Sequence, residues 1–322
     1  MRHRLSRRRW MSTTACLGLG ALGVGCSAPP AALRVGAIVF PGYEFLFLAE
    51  QMGWLNEAPV HLVEMQTNTD TLRALALGRL EAAALTLDEA LTGLSEGIPL
   101  RVVAVLDVSA GADVVLARPP AHDAADLRGR RVGVEDSAVG ALMLAAVLEA
   151  AGLGVGDIQK VPMALSSSVE AYRSRQVDAL VTAEPWASTL RAEGAQAVFD
   201  SRAIPGRIVD VLAVRADALP ARAPGLAQLL RGHFRALAHF RAQPLAASAL
   251  LAPRLQIPAE AVPGAFQGLD LPDLAANRAL LAPKGSVRQG LGSLVPLLQA
   301  QGLMAREVDT GPFLDPRWLQ GL

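Results

Sequence analysis

Cysteine and lysine are almost absent from this chain of 322 residues. Its two cysteines, Cys16 and Cys26, both lie near the amino terminus, and its two lysines are Lys160 and Lys284. A chain that begins at Cys26 cannot form an internal disulfide, and it has no other thiol for catalysis or for binding a metal. This shortage excludes disulfide scaffolds, cysteine nucleophiles and cysteine-based metal centres.

Once residues 1–25 are set aside, the chain also lacks an excess of positive charge. Residues 1–25 contain five arginines and no acid, so their removal leaves 25 basic side chains (30 − 5) against 30 acidic ones. A net charge of −5 (25 − 30) argues against a nucleic-acid partner, which requires a basic face.

The sequence also lacks the common catalytic motifs. It contains neither a Gly-x-x-x-x-Gly-Lys-Ser/Thr loop nor a Gly-x-Ser-x-Gly elbow. Beyond residue 25 the histidines are scattered at His61, His122, His233 and His239, and we expect them to be structural or solvated. We therefore predict no catalytic residue, no metal site and no cofactor.

The amino terminus reads as an export signal. Basic residues run to Arg9, an apolar stretch of small residues covers 11–25, and Cys26 follows. That stretch is shorter than the ~20 residues needed to span a bilayer. Residues 22–26, LGVGC, resemble a bacterial lipobox, and residues 6–11 resemble a twin-arginine signal, with an ordinary basic segment as the alternative. We predict that residues 1–25 are removed and that Cys26 is lipidated.

A βαβαβ pattern occurs twice at an almost constant offset. Residues 34–36, Arg-Val-Gly, return as 131–133, and an apolar stretch ending at Met65 returns as one ending at Met163. The segment GRLEAAALT (78–86) has its counterpart in RQVDALVT (175–182), and the offset is 97 or 98 throughout. Several matching segments in the same order and at nearly the same offset predict two α/β lobes with the same topology.

Two apolar strands, 114–117 and 209–215, are expected to carry the chain between these lobes, and the pattern from Pro224 onward is helical. The predicted segments are an export signal (1–25), a linker (26–32), lobe 1 (33–113), lobe 2 (114–209), and a return crossing with the helical remainder of lobe 1 (210–322).

Loops at the carboxyl ends of the predicted strands carry the candidate binding residues, because open α/β sheets bind ligands at that edge. The turn PGYE (41–44) lies between the first strand and a helix that we expect to end at Gly53. Tyr43 and Trp186 are predicted to form aromatic walls, Glu44 and Glu184 to bind N–H donors, and Ser137 to donate to an acceptor. The full predicted set is Tyr43, Glu44, Asn68, Thr86, Asp88, Ser137, Ser167, Glu184, Trp186 and Asp210.

These stretches together resemble the nitrate/sulfonate/taurine-type binding proteins of bacterial ABC importers, which are related to thiamine-pyrimidine-binding proteins. The more specific parts are PGYE followed by a helix and Glu184-Pro185-Trp186, and the likeness extends over residues 33–322. The resemblance implies a two-lobed periplasmic-binding-protein fold (type II), with two crossing strands and with carboxyl-terminal helices on lobe 1. It also implies a monomer, lipid-anchored on the periplasmic side of a bacterial membrane or on the surface of a Gram-positive cell, that takes a small-molecule ligand to an ABC permease.

The predicted mouth is rich in acids, which bears on the ligand. The predicted solute is small and organic, and either nitrogen-containing or sulfonate-like. No lysine or arginine lies among the immediate sequence neighbours of these acids, so the mouth favours a ligand with N–H groups or positive charge over the anions of the resembled family. Helix amino ends and serines alone could still hold nitrate or a sulfonate. We expect half of these acids to cap helices instead, and Thr67-x-x-Asp70 and Ser167-x-x-Glu170 have capping-box spacing. The acids are Glu44, Asp70, Asp88, Asp107, Asp113, Glu135, Asp136 and Glu184.

Two other functions remain open. A binding subunit that reports to a membrane signalling protein would have the same two lobes, and the sequence does not separate the two roles. A catalytic branch of the pyrimidine-related family uses a cysteine-rich motif, which residues 27–322 lack, so we predict that the protein is not an enzyme.

Overall fold

The computed structural model describes residues 31–322, and the predictions for the export signal and for Cys26 lie outside them. The strands form two sheets, one of six strands in the order β11-β4-β10-β3-β1-β2 and one of five in the order β7-β6-β8-β5-β9. The strands are β1 Leu33–Ala37, β2 Val60–Glu64, β3 Ala82–Thr86, β4 Leu100–Ser109, β5 Val114–Ala117, β6 Arg131–Val134, β7 Gln159–Pro162, β8 Ala179–Thr182, β9 Gln196–Asp200, β10 Val209–Arg215 and β11 Leu269–Asp270.

Helices cover both sheets, and their limits follow local sequence signals. Helix α1 is followed by Gly53 at φ +70°, and α4 begins after the N-cap Ser137 and ends at Gly152 at φ +62°. The helices are α1 Glu44–Gln51, α2 Asn68–Ala76, α3 Leu87–Ser95, α4 Ala138–Ala151, α5 Ser168–Arg173, α6 Trp186–Ala192, α7 Leu219–Ala242, α8 Pro244–Leu255, α9 Val262–Ala265, α10 Leu274–Leu280 and α11 Ser286–Ala300.

The two sheets repeat one pairing scheme. Strand β1 runs parallel to β2 and β3, and β6 runs parallel to β7 and β8 in the same way. The central strands β3 and β8 are buried along their whole length, which explains their continuous apolar sequences. The predicted two-lobed α/β fold is confirmed, and the sequence repeat corresponds to one βαβαβ unit in each lobe.

The chain passes between the sheets twice, from β4 to β5 and from β9 back to β10. Strand β10 lies antiparallel between β3 and β4, so the return begins in lobe 1 at Val209. The two connecting segments are tied together: the hydroxyls of Ser109 and Ser201 lie 2.8 Å apart, and the backbone N–H of Gly111 donates to Ser201 Oγ at 2.6 Å.

The carboxyl-terminal helices pack on lobe 1. Helix α7 lies along α1, and Asn277 in α10 binds the backbone of Val105 in β4 through both its Oδ1 and its Nδ2. Across residues 31–322, no helix combines the length and the apolar character that a membrane crossing requires.

Candidate functional site

The PGYE turn places its glycine and its tyrosine against two buried acids. A Cβ atom on Gly42 would lie 1.7 Å from Asp107 Oδ2, so only glycine leaves space for this carboxyl group. The ring of Tyr43 is 1% exposed and packs edge-on against Phe40, and its hydroxyl donates to Asp210 Oδ1. In this conformation Tyr43 therefore presents no ring face to a solute.

Asp107 and Asp210 lie directly opposite each other in the β4–β10 ladder. Both are buried, and neither oxygen of Asp107 has a hydrogen-bond partner within residues 31–322. Burial and the adjacent charge of Asp210 hold the pKa of Asp107 well above its usual range, and burial raises the pKa of Asp210 to about 7. Both shifts favour the protonated forms of these two acids.

The amino end of α3 contributes two more buried acids. Thr86 and Glu89 form a capping box, in which each side chain accepts a hydrogen bond from the backbone N–H of the other. Between them, Asp88 is buried, and neither of its oxygens is bonded in the described part of the chain. Burial raises the pKa of Asp88 to about 6 and that of Glu89 well above its usual value.

Lobe 2 brings Glu135 to the same region. This residue lies between β6 and α4, is 4% exposed, and has no hydrogen-bond partner for either carboxylate oxygen among residues 31–322. Burial raises its pKa to about 7. Asp113, in the first connecting segment, is partly exposed, but its Oδ2 atom is buried and unbonded, and burial raises its pKa to about 6.

A small cavity, which we call the inner cavity, lies beside these last two acids. Its volume is 20 Å³, enough for one water-sized group. Its polar lining consists of Asp113, Glu135, Ser137 and Thr182, and its apolar lining includes Leu165 and Met143. The Ser137 hydroxyl accepts from the Gly140 backbone, while Thr182 Oγ1 is buried without a described partner.

Two larger grooves open on the interlobe cleft and share lining residues with the inner cavity. The Trp186 groove has a volume of 480 Å³ and shares Leu165 with it, and the Lys160 groove has a volume of 560 Å³ and shares Ser137. The Trp186 groove is lined by Ile38, Val39, Glu64, Met65, Gln66, Leu165, Ser166, Val169, Arg173, Pro185, Trp186, Thr189, Arg254, Leu255, Gln256 and Ile257.

Several predicted site residues have other partners here. Glu184 is buried, and its oxygens accept from the Ser188 backbone at 3.0 Å and from Arg191 at 2.8 Å, so it supports the start of α6. Glu44 is fully buried against Arg254 at 2.8 Å, although burial still raises its pKa to about 7.

The remaining predicted residues differ in position. Trp186 is partly exposed and lines the Trp186 groove, and its role as a wall for the ligand stays a prediction. Asn68 is buried with its Oδ1 atom unbonded in the described residues, whereas Ser167 is exposed and its side chain makes no cap for α5, so the predicted Ser167–Glu170 capping box is wrong. The Thr67 cap is confirmed, with its hydroxyl accepting from Asp70 N at 3.0 Å.

The structure therefore brings Tyr43, Thr86, Asp88 and Asp210 of the predicted set close to acids outside that set. Asp107, Asp113 and Glu135 were visible in the sequence as mouth acids, and Glu89 carries the Thr-x-x-Glu capping signature. Arg254, the partner of Glu44, had no sequence signal, because 210 residues separate the two. Within residues 31–322, no group of three or more His, Cys, Asp or Glu side chains is arranged to hold a metal ion.

Comparisons with known proteins agree with this architecture. The profile of the NMT1-like family matches residues 27–252. A candidate binding protein of Brucella abortus (strain 2308) is 32% identical over 91 residues, and the match spans 28% of each of the two chains, well under a third of the relative's length.

Solved structures of the same fold include both binding proteins and an enzyme. The alkanesulfonate-binding protein SsuA of Xanthomonas axonopodis pv. citri, bound to MOPS, superposes with a TM-score of 0.74 at 20% identity, over 90% of this chain and 99% of its own. The desulfurization enzyme DSZB gives a TM-score of 0.62 at 22% identity, over 90% and 98% of the two chains. At these identities the likeness establishes the fold alone.

Proposed function

The chain belongs to the NMT1-like family, and from this premise we propose that it is the extracytoplasmic substrate-binding lipoprotein of an ABC importer. It captures a small organic solute, nitrogen-containing and carrying N–H groups or positive charge, between its two lobes and presents it to the permease. The two-lobed fold, the interlobe grooves and the alkanesulfonate-binding relative of the same fold support a binding function.

The observation that carries the choice of solute is the set of buried, unbonded carboxylate oxygens where the lobes meet. Asp88, Asp107 and Glu135 each have two such oxygens with no partner in residues 31–322. Burying a carboxylate without a partner is costly, and donors from a ligand remove that cost. These side chains offer hydrogen-bond acceptors and, when ionised, negative charge, which favours a solute with N–H groups or positive charge over a sulfonate.

Trp186 supplies the wall against which a flat or cationic group would stack. It lines the 480 Å³ groove and remains partly exposed. Because Trp186 does not pack against the hydrophobic core of residues 31–322, we expect Trp186→Ala to abolish ligand-induced stabilisation and to leave the unliganded melting temperature almost unchanged.

A thermal-shift screen of small metabolites against wild-type protein and Trp186→Ala tests this expectation. The matched control is Trp318→Ala, which removes a tryptophan that packs against the hydrophobic core and should lower the unliganded melting temperature while preserving the ligand-induced shift. A large loss of unliganded stability in Trp186→Ala would make Trp186 a core residue. Tight binding of nitrate or of a simple alkanesulfonate would refute the cationic solute.

The lipid anchor is the second part of the proposal. Cys26 follows small residues and an apolar stretch, so signal cleavage before it and acylation of its thiol would tether the protein to the membrane. Mass spectrometry of the native protein should show a chain that begins at an acylated Cys26, and Cys26→Ser should appear in the soluble fraction. A native chain that begins at another residue, or one that lacks the mass of an acyl group, would contradict the proposed lipid anchor.

The alternatives differ in what surrounds the gene and in what happens to the solute. A permease and an ATPase encoded beside it favour import, whereas a neighbouring sensor kinase favours signalling. The fold also serves an enzyme, DSZB, but residues 31–322 of this chain contain no cysteine, and the site offers acids and a tryptophan. We therefore propose capture without chemical conversion, which recovery of the unaltered solute after incubation would check.

A further inference from the structure

The inner cavity differs from the rest of the cleft in its size and in its hydrogen-bonding chemistry. Four buried oxygens beside it are unbonded within the described residues: Asp113 Oδ2, both carboxylate oxygens of Glu135, and Thr182 Oγ1. Two of these residues carry negative charge when ionised, and Thr182 offers a hydroxyl. The site is therefore rich in acceptors and poor in donors.

Positive charge is missing from the lining of the inner cavity in residues 31–322. Lys160, the nearest lysine in lobe 2, pairs with the exposed Asp136 at 2.7 Å in the neighbouring groove. The acids around the cavity also act on one another, since the charge of Asp113 adds to those that raise the pKa values of Asp88 and Asp210. Uncompensated negative potential at a buried position favours a cationic guest.

The volume then limits what that guest can be. A cavity of 20 Å³ admits one group of about the size of a water molecule, which a primary ammonium matches and a quaternary ammonium exceeds. A primary ammonium presents three N–H donors, which suits acceptors on Asp113, Glu135 and Thr182. Leu165 lines both the inner cavity and the Trp186 groove, so a solute could extend from one into the other.

We propose that the inner cavity binds the protonated primary ammonium group of the solute, with Glu135 of lobe 2 and Asp113 of the connecting segment as its counter-ions. The rest of the solute lies in the Trp186 groove. This inference rests on the proposed capture of a solute between the lobes and specifies its recognised group.

Methylammonium chloride, which represents the head group alone, is the probe. Titrated at pH 8 against sodium chloride and tetramethylammonium chloride of equal ionic strength, it should raise the melting temperature of wild-type protein, and the two control salts should not. Glu135→Gln keeps the side-chain volume but removes the charge, and it should weaken methylammonium about tenfold or more, as expected for a lost charge-assisted hydrogen bond. Glu149→Gln, an exposed change in the same helix region, is the matched control and should bind as wild type.

Thr182→Val is the second variant, in case Glu135→Gln does not fold. It preserves shape in the buried strand β8 and removes one acceptor, so methylammonium should bind it several times more weakly. Equal stabilisation of wild type and both variants, or equal stabilisation by methylammonium and tetramethylammonium, overturns the ammonium site.

The two proposals fail in different ways. If ethanesulfonate or nitrate stabilises the wild-type protein and methylammonium does not, the ammonium inference is wrong and solute capture stands. If neither these ions, nor methylammonium, nor any solute in the metabolite screen stabilises the protein, both are wrong.

Discussion

The two lobes share the same side-chain contacts at the amino ends of their strands and differ at the carboxyl ends. Arg34 donates to Glu81 through its backbone N–H, its Nε and its terminal nitrogen, and Arg131 binds Asp178 with the same three donors, 97 residues later. Such bidentate pairs fix the first strand of each lobe to the third. The repeated feature is thus a structural clamp.

At the carboxyl ends the same positions carry different chemistry. The offset of 97 relates Glu89 to Trp186, Asp88 to Pro185, and Ile38 to Glu135. Lobe 1 therefore supplies most of the buried carboxyl groups that have no bonded partner in residues 31–322, whereas lobe 2 supplies one, Glu135, and Trp186. The repeated scaffold therefore presents two chemically different surfaces to the interlobe cleft.

The largest effect expected from this asymmetry is on the pH dependence of stability. In the unliganded protein the pKa values of Asp88 and Asp113 are raised to about 6 and those of Glu135 and Asp210 to about 7. Because folding raises these pKa values, the folded protein holds more protons than the unfolded chain between about pH 4 and pH 7. Stability should fall by at least about 2 kcal/mol as the pH rises through that window.

Groups with lowered pKa values oppose this slope. Burial lowers the pKa of His233 to about 4, so its contribution to stability increases as the pH rises. Hydrogen bonds from arginines lower the pKa values of Asp178, Asp200, Asp217 and Asp315, whose contributions increase mostly below about pH 5. Above that pH the histidine is outweighed by the several acids with raised pKa values. Urea unfolding at pH 5 and at pH 7.5 measures the slope. The Asp88→Asn/Asp107→Asn double variant of lobe 1 should flatten it more than Glu135→Gln of lobe 2. An equal reduction of the pH dependence of stability in the two variants would contradict the proposed asymmetry between the lobes.

A smaller effect is expected from the glycines at the start of the first helix in each lobe. A Cβ atom on Gly42 would meet Asp107 Oδ2 at 1.7 Å, and one on Gly140, 98 residues later, would meet the backbone oxygen of Glu135 at 2.3 Å. Alanine at either position should therefore cost about 1–3 kcal/mol in the free energy of unfolding.

The control for these two changes is Gly292→Ala, within α11, where an added Cβ has no neighbour within 4 Å. It should stabilise the protein by up to about 1 kcal/mol, because alanine is the better helix former. Unfolding curves of the three variants compare them directly. If Gly42→Ala were as stable as Gly292→Ala, Asp107 would not be held against the PGYE turn.

The smallest effect concerns the shared clamp. Arg34→Ala and Arg131→Ala should each lower the melting temperature modestly, since both arginines are partly exposed and such pairs are screened by solvent. Arg34→Ala should have the smaller effect on its partner, because Arg222 also lies 3.5 Å from Glu81. Added salt should reduce both losses, and a loss unaffected by salt would mean that packing, not charge, holds the strands.

The two-lobed fold was predictable from sequence because it depends on local patterns that occur twice. Apolar strands, helix-ending glycines and the 97-residue offset are each visible in the letters, and they predicted the two lobes and the two connections. The Thr67 cap was predictable for the same reason, since three residues in sequence set its geometry.

The state of each acid was not predictable, because its partner lies beyond its immediate sequence neighbours. Glu44 pairs with Arg254, 210 residues away, Asp136 with Lys160, 24 residues away, and Glu184 with Arg191, 7 residues away. Sequence neighbours contained no such cations around most of these acids. Asp88, Asp107 and Glu135 lack a bonded partner in residues 31–322, and no local signal separates them from the paired acids.

The hydrogen bond between the Ser109 and Ser201 hydroxyls couples the two segments that connect the lobes. Two independent linkers would let one lobe swing, twist and shear over the other. The two hydroxyls lie 2.8 Å apart, and the Gly111 N–H also donates to Ser201 Oγ, so the two linkers are joined at one point. We expect this link to restrict relative motion of the lobes mainly to rotation about it. The carbonyl oxygen of Asp113 accepts from the Ser201 N–H, so Asp113 is tied to the same link. We therefore expect opening of the lobes to keep the lining of the inner cavity together, because it consists of Asp113 and residues of lobe 2.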